Sequence, residues 1–151
     1  MKIVDGKEYI PQVKELILEY IHQLNRDLSF QHIEEELGDL AKKYTAPQGE
    51  ILVAVEGDAV LGTVAYHKHS DSRCEMKRLY VKPDARGLCL GDILVREIIE
   101  YARTAGYKEM VLDTLIPMKA AIHLYQKYGF QECEAYYDNP MDDVIYMMKK
   151  F

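Results

Sequence analysis

The chain has 151 residues, of which 48% are hydrophobic and 29% charged, and these values are typical of one globular domain. Its formal net charge of −6 argues against a nucleic-acid or anionic-membrane surface, because both require a basic face. The three cysteines form no CxxC pair, which favours a reducing compartment over a disulfide framework. Residues 1–10 lack the apolar core of a signal peptide, and no apolar run approaches the ~18 residues of a membrane span. A single cytoplasmic domain over residues 1–151 is therefore predicted.

The first third of the chain is predicted to be mainly helical. Residues 2–4 suit a short edge strand, and residues 9–26 repeat apolar side chains at helical spacing. A second helix is predicted over residues 30–44, with Ser29 as its cap. The acidic run at residues 34–36 suits the first turns of this helix, where carboxylates interact favourably with the helix dipole. The alternative for this run is a patch that binds a cationic substrate.

The rest of the chain mixes strand and helix patterns. Predicted strands cover residues 51–55, 59–67, 74–81, 108–113, 130–134 and 144–148, and predicted helices cover residues 93–105 and 118–128. The first three strands form a meander. The strands on either side of the first of these helices form a βαβ unit, so they are expected to be parallel, with a right-handed crossover. The predicted class is α/β (α+β), with a mixed, mostly antiparallel twisted sheet and helices on both faces.

Residues 74–106 join a strand to a long helix through a tight Arg-Gly turn. Pro83 ends the strand, because proline lacks a backbone donor. The turn lies at the N-terminus of the helix, where free backbone N–H groups and about half a positive charge favour an anion. The stretch matches neither GxxxxGK[ST] nor GxGxxG. An Arg-Gly turn can also be purely structural, so the turn by itself leaves the ligand open.

Two motifs in sequence give this turn a family context. Arg86 and Gly91 bound the turn, and residues 121–130 read AIHLYQKYGF after the next strand. In this order the two motifs resemble the GNAT family of acyl-CoA-dependent N-acetyltransferases, over about residues 51–151. Cys89 stands where the family pattern at the turn, (Gln/Arg)-x-x-Gly-x-(Gly/Ala), has its middle glycine. Met118 stands where the family often has a helical asparagine.

The resemblance implies that the chain binds acetyl-CoA as a cosubstrate. Its pyrophosphate would lie on the N–H groups of residues 88–92. Its pantetheine arm would lie in a gap between the strand of residues 74–81 and the next parallel strand, where one N–H group polarises the thioester carbonyl. The cofactor-binding residues so implied are Leu79, Tyr80, Val81, Arg86, Gly87, Leu88, Cys89, Leu90, Gly91 and Asp92.

Two residues are candidates for catalysis. Tyr125 matches the tyrosine of the family that protonates the departing thiolate, and its alternative role is simple packing. Glu75 stands where some members carry a base on the strand, and its alternative role is an ion pair with Arg78 or with a lysine of a neighbouring strand. By strand parity Glu75 is expected to share a face with Lys77, Leu79 and Val81.

Cys89 is the departure from the family pattern with the clearest structural consequence. It is expected to keep a negative φ and to point away from the phosphate, because a side chain makes a positive φ costly. The thiol is interpreted either as a small buried hydrophobic group or as a functional thiol at a helix N-terminus.

Other polar residues have more than one interpretation. The histidines lack the spacing of metal ligands, so no metal is predicted, and His67 and His69 are expected to be solvated or close to substrate. Tyr136-Tyr137 with Asn139-Pro140 are interpreted as a β-turn or as the rim of the acceptor pocket. Lys119 and Lys127 are interpreted as phosphate contacts or as surface lysines.

The function predicted from the resemblance is acetyl transfer from acetyl-CoA to a primary amine, in a small molecule or a peptide, by direct attack. The alternatives are a non-catalytic acyl-CoA-binding or regulatory module, suggested by Cys89 and Met118, and an enzyme that prefers another acyl group. The resemblance also implies a homodimer, whereas neither a nucleic-acid nor a membrane partner is expected.

Overall fold

The computed structural model describes residues 1–27 and 32–151. The helices are α1 (Ile10–Leu24), α2 (Ile33–Gly38), α3 (Leu40–Tyr44), α4 (Leu90–Thr104) and α5 (Lys119–Lys127). The strands are β1 (Lys2–Asp5), β2 (Gly49–Glu56), β3 (Ala59–Lys68), β4 (Arg73–Val81), β5 (Glu109–Leu115), β6 (Gln131–Cys133) and β7 (Val144–Lys150). Every strand and helix predicted within the described residues is present, with ends that shift by a few residues.

The described strands form one seven-stranded sheet in the order β1-β2-β3-β4-β5-β7-β6. The β4–β5 ladder is parallel, whereas the other ladders in the described residues are antiparallel. The mixed sheet, the meander of β2 to β4 and the parallel strands on either side of α4 are therefore confirmed. Among the helices of residues 1–27 and 32–151, none has both the length and the apolar character that crossing a membrane requires.

Strand alternation places two hydrophobic cores on opposite faces of the sheet. Leu52 and Val64 pack with Leu94 of α4 on one face. Val53 and Ala65 pack with Leu16 of α1 on the other face, which α3 also covers. Burying a side chain of this size contributes roughly 1.5–3 kcal/mol. Helices therefore cover both faces, as the sequence predicts.

The predicted helix over residues 30–44 is divided in two. Asp39 has φ −154°, which interrupts the helical backbone between α2 and α3. Its side chain then accepts a hydrogen bond from the backbone N–H of Lys42 at 3.2 Å, so Asp39 caps α3. The predicted cap, Ser29, lies outside the described residues.

A β-bulge at Arg78 changes which side chains share a face of β4. The β3–β4 register runs from Ala65↔Lys77 to Thr63↔Tyr80, so β4 has one residue more than β3. Arg78 adopts a left-handed backbone with φ +61°. The predicted parity is therefore correct for Glu75 and Lys77, which precede the bulge, and wrong for Leu79 and Val81, which follow it. Glu75 shares the α1 face with Tyr80, whereas Leu79 and Val81 pack on the α4 face.

β4 and β5 separate shortly after they pair. In the described residues their ladder joins Arg73–Glu75 to Glu109–Val111. Beyond Glu75, β4 stays paired with β3 while β5 stays paired with β7 as far as Leu115. The gap that the family resemblance implies between these parallel strands is therefore present.

Candidate active site

A pocket opens where β4 and β5 separate. Its walls come from both strands, from α1 and α5, and from the loop before β7. The polar residues on these walls include Lys77, Arg78, Asp113, Tyr125 and Asn139. The separation of β4 from β5 therefore brings residues of both strands to the walls of one cavity.

A groove leads from the N-terminus of α4 to this pocket. Leu79, Tyr80, Val81, Arg86 and Gly91, all of them predicted cofactor-binding residues, line it together with the start of α5. Arg86 donates from Nε to the carbonyl oxygen of Val81 at 3.2 Å, which ties the turn to the end of β4. The groove and the pocket share part of their lining, including Tyr20 and Met118, so one adjoins the other.

The remaining predicted cofactor-binding residues have different surroundings. Gly87 has φ +94°, and a Cβ there would meet open space. Leu88 is exposed, whereas Leu90 is buried in the core beneath the turn. The carboxylate of Asp92 accepts hydrogen bonds from Lys127 and from the Tyr128 hydroxyl, so it joins α4 to α5. Lys127 is thus held by Asp92, while Lys119 lines the groove.

Cys89 differs from the prediction in both its backbone and its burial. Its φ is +58°, in the left-handed region, and its thiol is exposed. The expected negative φ and the interpretation as a small buried hydrophobic group are wrong. The physical reason is the sharp change of direction from extended Arg86 into α4, which the left-handed Gly87 and Cys89 make together. A left-handed non-glycine residue costs roughly 1–2 kcal/mol.

The first turn of α4 keeps the backbone donors that an anion requires. The carbonyl oxygen of Cys89 accepts from the N–H of Ile93 at 3.1 Å, so the helix ladder begins at Cys89. The N–H groups of residues 90–92 precede the first donor of this ladder, the N–H of Ile93, and have no partner within the helix. Cysteine in place of glycine therefore preserves the turn at a cost in backbone strain.

Tyr125 packs in the core and also lines the pocket. Its ring makes an edge contact with Phe130, with centroids 5.9 Å apart, and the residue is buried. Burial raises the pKa of Tyr125 above its ordinary value, so the hydroxyl keeps its proton at neutral pH. A protonated hydroxyl on the wall of the cavity can donate to a leaving group.

The carboxylate of Glu75 is surrounded by hydrogen-bond donors. Its Oε1 lies 2.7 Å from Nε2 of His67 and 3.4 Å from Nε2 of His69, and its Oε2 accepts from the Tyr136 hydroxyl. Nζ of Lys77 lies 3.9 Å from Oε1. The expected alternative partners, Arg78 or a lysine of a neighbouring strand, are wrong, because Lys77 belongs to β4 itself and Arg78 binds elsewhere.

These contacts set the charges around Glu75. Burial would raise the pKa of Glu75, but hydrogen bonds from His67 and His69 and the charge of Lys77 outweigh it and hold that pKa well below its usual range. Burial lowers the pKa of His67, although the hydrogen bond to Glu75 opposes this change. Burial also lowers the pKa of Lys77. Glu75 is therefore a buried, ionised carboxylate, and both His67 and Lys77 beside it have lowered pKa values.

Glu36 has a different environment from the rest of the acidic run. It is buried, and its carboxylate accepts from Nε of Arg78 at 2.6 Å and from Nη2 at 2.9 Å. Lys43 adds a contact of 2.9 Å. Glu36 lies in the first turn of α2, as predicted for the acidic run, but its carboxylate also links α2 to the bulge on the pocket wall. Burial would raise the pKa of Glu36, but Arg78 lowers it to about 2.

The loop before β7 closes over carboxylates of β4 and β5. Tyr136 donates to Glu75, while Tyr137 and Asn139 donate to Asp113 of β5. Asn139 also lines the pocket, which agrees with the rim interpretation of these residues. In the sequence, the adjacent Tyr136 and Tyr137 are the feature that points to this loop. The sequence alone does not show that their hydroxyls bind carboxylates on two different strands.

Comparisons with known proteins agree with this geometry. The model of the Acetyltransferase (GNAT) family matches residues 17–130. An uncharacterised N-acetyltransferase of Schizosaccharomyces pombe is 47% identical over 136 residues, which cover 89% of this chain and 83% of that protein. The chain belongs to the GNAT acetyltransferase family.

Solved structures share the fold at lower identity. An acetyltransferase from Streptococcus agalactiae has a TM-score of 0.81 at 22% identity, with 99% of this chain and 98% of that chain covered. The Campylobacter jejuni N-acetyltransferase PseH in complex with acetyl coenzyme A has a TM-score of 0.65 at 24% identity, with 99% and 97% covered. At these identities the likeness establishes the fold.

Proposed function

We propose that this protein transfers an acetyl group from acetyl-CoA to a primary amine of a small molecule or peptide. The observation that carries the proposal is the gap between β4 and β5, which has Tyr125 on its wall and adjoins a groove from the N-terminus of α4. Family membership supports the reaction class. The acetyl coenzyme A complex of PseH, a protein of the same fold, supports the donor.

The proposed cosubstrate site runs along this groove. The pyrophosphate lies against the N–H groups of residues 88–92, where the start of α4 favours negative charge. The pantetheine arm follows Leu79, Tyr80 and Val81, which lie beyond the part of β4 that pairs with β5. One of these N–H groups polarises the thioester carbonyl.

The chemistry is direct attack. The amine nitrogen forms a bond to the carbonyl carbon, the carbon–sulfur bond breaks, and the sulfur leaves with the electron pair. Tyr125 is proposed to give its proton to that sulfur, since its hydroxyl stays protonated and faces the same cavity. Glu75 is proposed to assist removal of the amine proton through His67, because its own pKa is held too low for it to keep that proton. Burial lowers the pKa of His67, so its neutral imidazole takes the proton through water and Glu75 stabilises the imidazolium that forms. Lys77, beside Glu75, lines the pocket.

Free CoA release from acetyl-CoA in the presence of an amine panel tests this proposal. Tyr125→Phe is expected to lower kcat by about 100-fold or more and to leave the thermal shift produced by acetyl-CoA unchanged. Tyr101→Phe is the matched control, because Tyr101 is an exposed tyrosine on α4. Its kcat is expected to match that of the wild type.

Two results would overturn parts of the proposal. If acetyl-CoA binds but no amine yields free CoA, the protein is a non-catalytic acyl-CoA-binding module. If acetyl-CoA gives no thermal shift at millimolar concentration, the groove is not its site.

The predicted homodimer is tested separately by the mass of the protein in solution.

A further inference from the structure

His67, His69 and Glu75 bring three metal-ligand atoms together beside the β3–β4 turn. Two imidazole nitrogens and a carboxylate oxygen lie within 4.8 Å of one another. Among residues 1–27 and 32–151, no other three histidine, cysteine or acidic residues bring their ligand atoms this close together. The spacing of the histidines in sequence predicts no metal site, because Glu75 reaches them only through the pairing of β3 with β4.

Strand pairing explains why these side chains meet. His67 and Glu75 are directly opposite on the antiparallel β3–β4 ladder, so they share a face of the sheet. His69 follows two residues later and lies on the same side. Its backbone N–H donates to the carbonyl oxygen of Arg73 at 2.9 Å, which keeps the turn against β4.

The surrounding contacts orient the three ligands. Tyr136 donates to Oε2 of Glu75, which leaves Oε1 directed at both imidazoles. The ring of His69 lies between those of His67 and Tyr136, with centroid distances of 5.2 Å and 5.4 Å. Hydrogen bonds of this kind to a ligating carboxylate are typical of metal sites.

We propose that His67, His69 and Glu75 bind a divalent transition-metal ion of the zinc class. Imidazole and carboxylate ligands suit such ions, and bonds of about 2.0–2.2 Å place neighbouring ligand atoms roughly 3.3 Å apart. His69 and Glu75 meet this spacing at 3.4 Å, and the 2.7 Å contact of His67 has to open by roughly half an ångström. The side chain of His69 is 28% exposed, so the ion and a water ligand can reach the site.

Lys77 limits the affinity of this site. Its Nζ lies 3.9 Å from the same Oε1, so an ammonium group would repel the ion. The site rests on ligand geometry and stands whether or not the protein transfers acetyl groups. A bound ion would occupy Glu75, so it is expected to inhibit any reaction that uses this carboxylate.

Zn²⁺ titration by calorimetry tests the site in the full chain after EDTA treatment and dialysis. The titration uses a Cys89→Ser background, because the exposed thiol of Cys89 could bind Zn²⁺ by itself. One ion per chain is expected. His69→Ala is expected to raise Kd at least tenfold, whereas His123→Ala, at an exposed histidine of α5, changes Kd less than twofold.

Further variants distinguish this site from adventitious binding. Glu75→Gln is expected to raise Kd at least tenfold and to remove the visible absorption bands of bound Co²⁺. Lys77→Met is expected to lower Kd, because it removes a positive charge beside the ion. Absence of saturable binding, binding that survives both His69→Ala and Glu75→Gln, or an unchanged Kd in Lys77→Met would overturn the proposal. Circular dichroism confirms that each variant is folded.

Discussion

Glu36 and Glu75 are both buried carboxylates, 5% and 4% exposed, but their partners differ. Glu36 accepts two hydrogen bonds from the guanidinium of Arg78 and one from Lys43. Glu75 faces two imidazoles and a phenol, and Lys77 lies at 3.9 Å. The same residue type thus forms an ion pair with Arg78 on the pocket wall and, further along β4, lies in a cluster of titratable side chains.

The two sets of partners differ in whether they can change their charge. An arginine keeps its charge at any physiological pH, so the Glu36–Arg78 pair is permanently compensated and holds its geometry. Imidazole and phenol can gain or lose protons or bind an ion, so the contacts of Glu75 can rearrange. The pair at Glu36 holds the side chain of the bulge residue Arg78, whereas the cluster at Glu75 contains groups whose protonation can change.

Removing the carboxylate charge of Glu36 is expected to have the largest effect on stability. Glu36→Gln leaves Arg78 buried without a full counter-charge, which costs about 3–5 kcal/mol in the free energy of unfolding. Urea denaturation of Glu36→Gln and of Glu35→Gln measures this, because Glu35 is exposed in the same helix. Equal midpoints for the two variants would show that the pair does not stabilise the fold.

Acid pH provides a second test of the same pair. The pKa of Glu36 is about 2 in the folded protein against 4.5 as its ordinary value, so the folded state favours the ionised carboxylate. This contribution, about 3 kcal/mol, is complete above pH 4.5 and is lost as pH falls towards 2. Urea midpoints between pH 6 and pH 3 should therefore fall more steeply for the wild type than for Glu36→Gln. Parallel curves would contradict the assignment.

Glu75→Gln is expected to affect turnover more than stability. The variant keeps the shape of the side chain and one oxygen acceptor, so the free energy of unfolding should fall by about 1–3 kcal/mol. If Glu75 stabilises the imidazolium that His67 forms on taking the amine proton, kcat should fall about 100-fold, while the thermal shift with acetyl-CoA stays unchanged. Glu132→Gln, at an exposed position of β6, is the control. A loss of acetyl-CoA binding in Glu75→Gln would assign this residue a structural role.

The sequence predicted the elements because period-two and helical patterns are local. The family motifs located Tyr125 and the turn from Arg86 to Asp92 in the same way, since each is a contiguous run. The bulge at Arg78 was missed, because arginine is not a usual left-handed residue and the extra residue appears only in the pairing with β3. One undetected bulge was enough to invert the predicted face of Leu79 and Val81.

Contacts between distant segments could not be predicted. Glu36 and Arg78 are 42 residues apart, and Glu75 and Tyr136 are 61 apart. Helical spacing places Glu36, rather than Glu34 or Glu35, on the same face as the buried Ile33. The spacing does not show that the partner of this carboxylate is the guanidinium of Arg78, because that contact depends on how α2 packs against the sheet.

Tyr136→Phe is expected to have the smallest effect on stability. It tests whether the loop before β7 orients the carboxylate of Glu75. The substitution removes one hydrogen bond to Oε2, which should cost about 0.5–1.5 kcal/mol in the free energy of unfolding. Tyr137→Phe is the matched control, because its neighbouring hydroxyl donates to Asp113 instead. If Tyr136 orients Glu75, Tyr136→Phe should also weaken Zn²⁺ binding by several-fold, whereas Tyr137→Phe should not. Equal Zn²⁺ affinities in the two variants would mean that His67 and His69 alone orient the carboxylate, and that the loop only covers it.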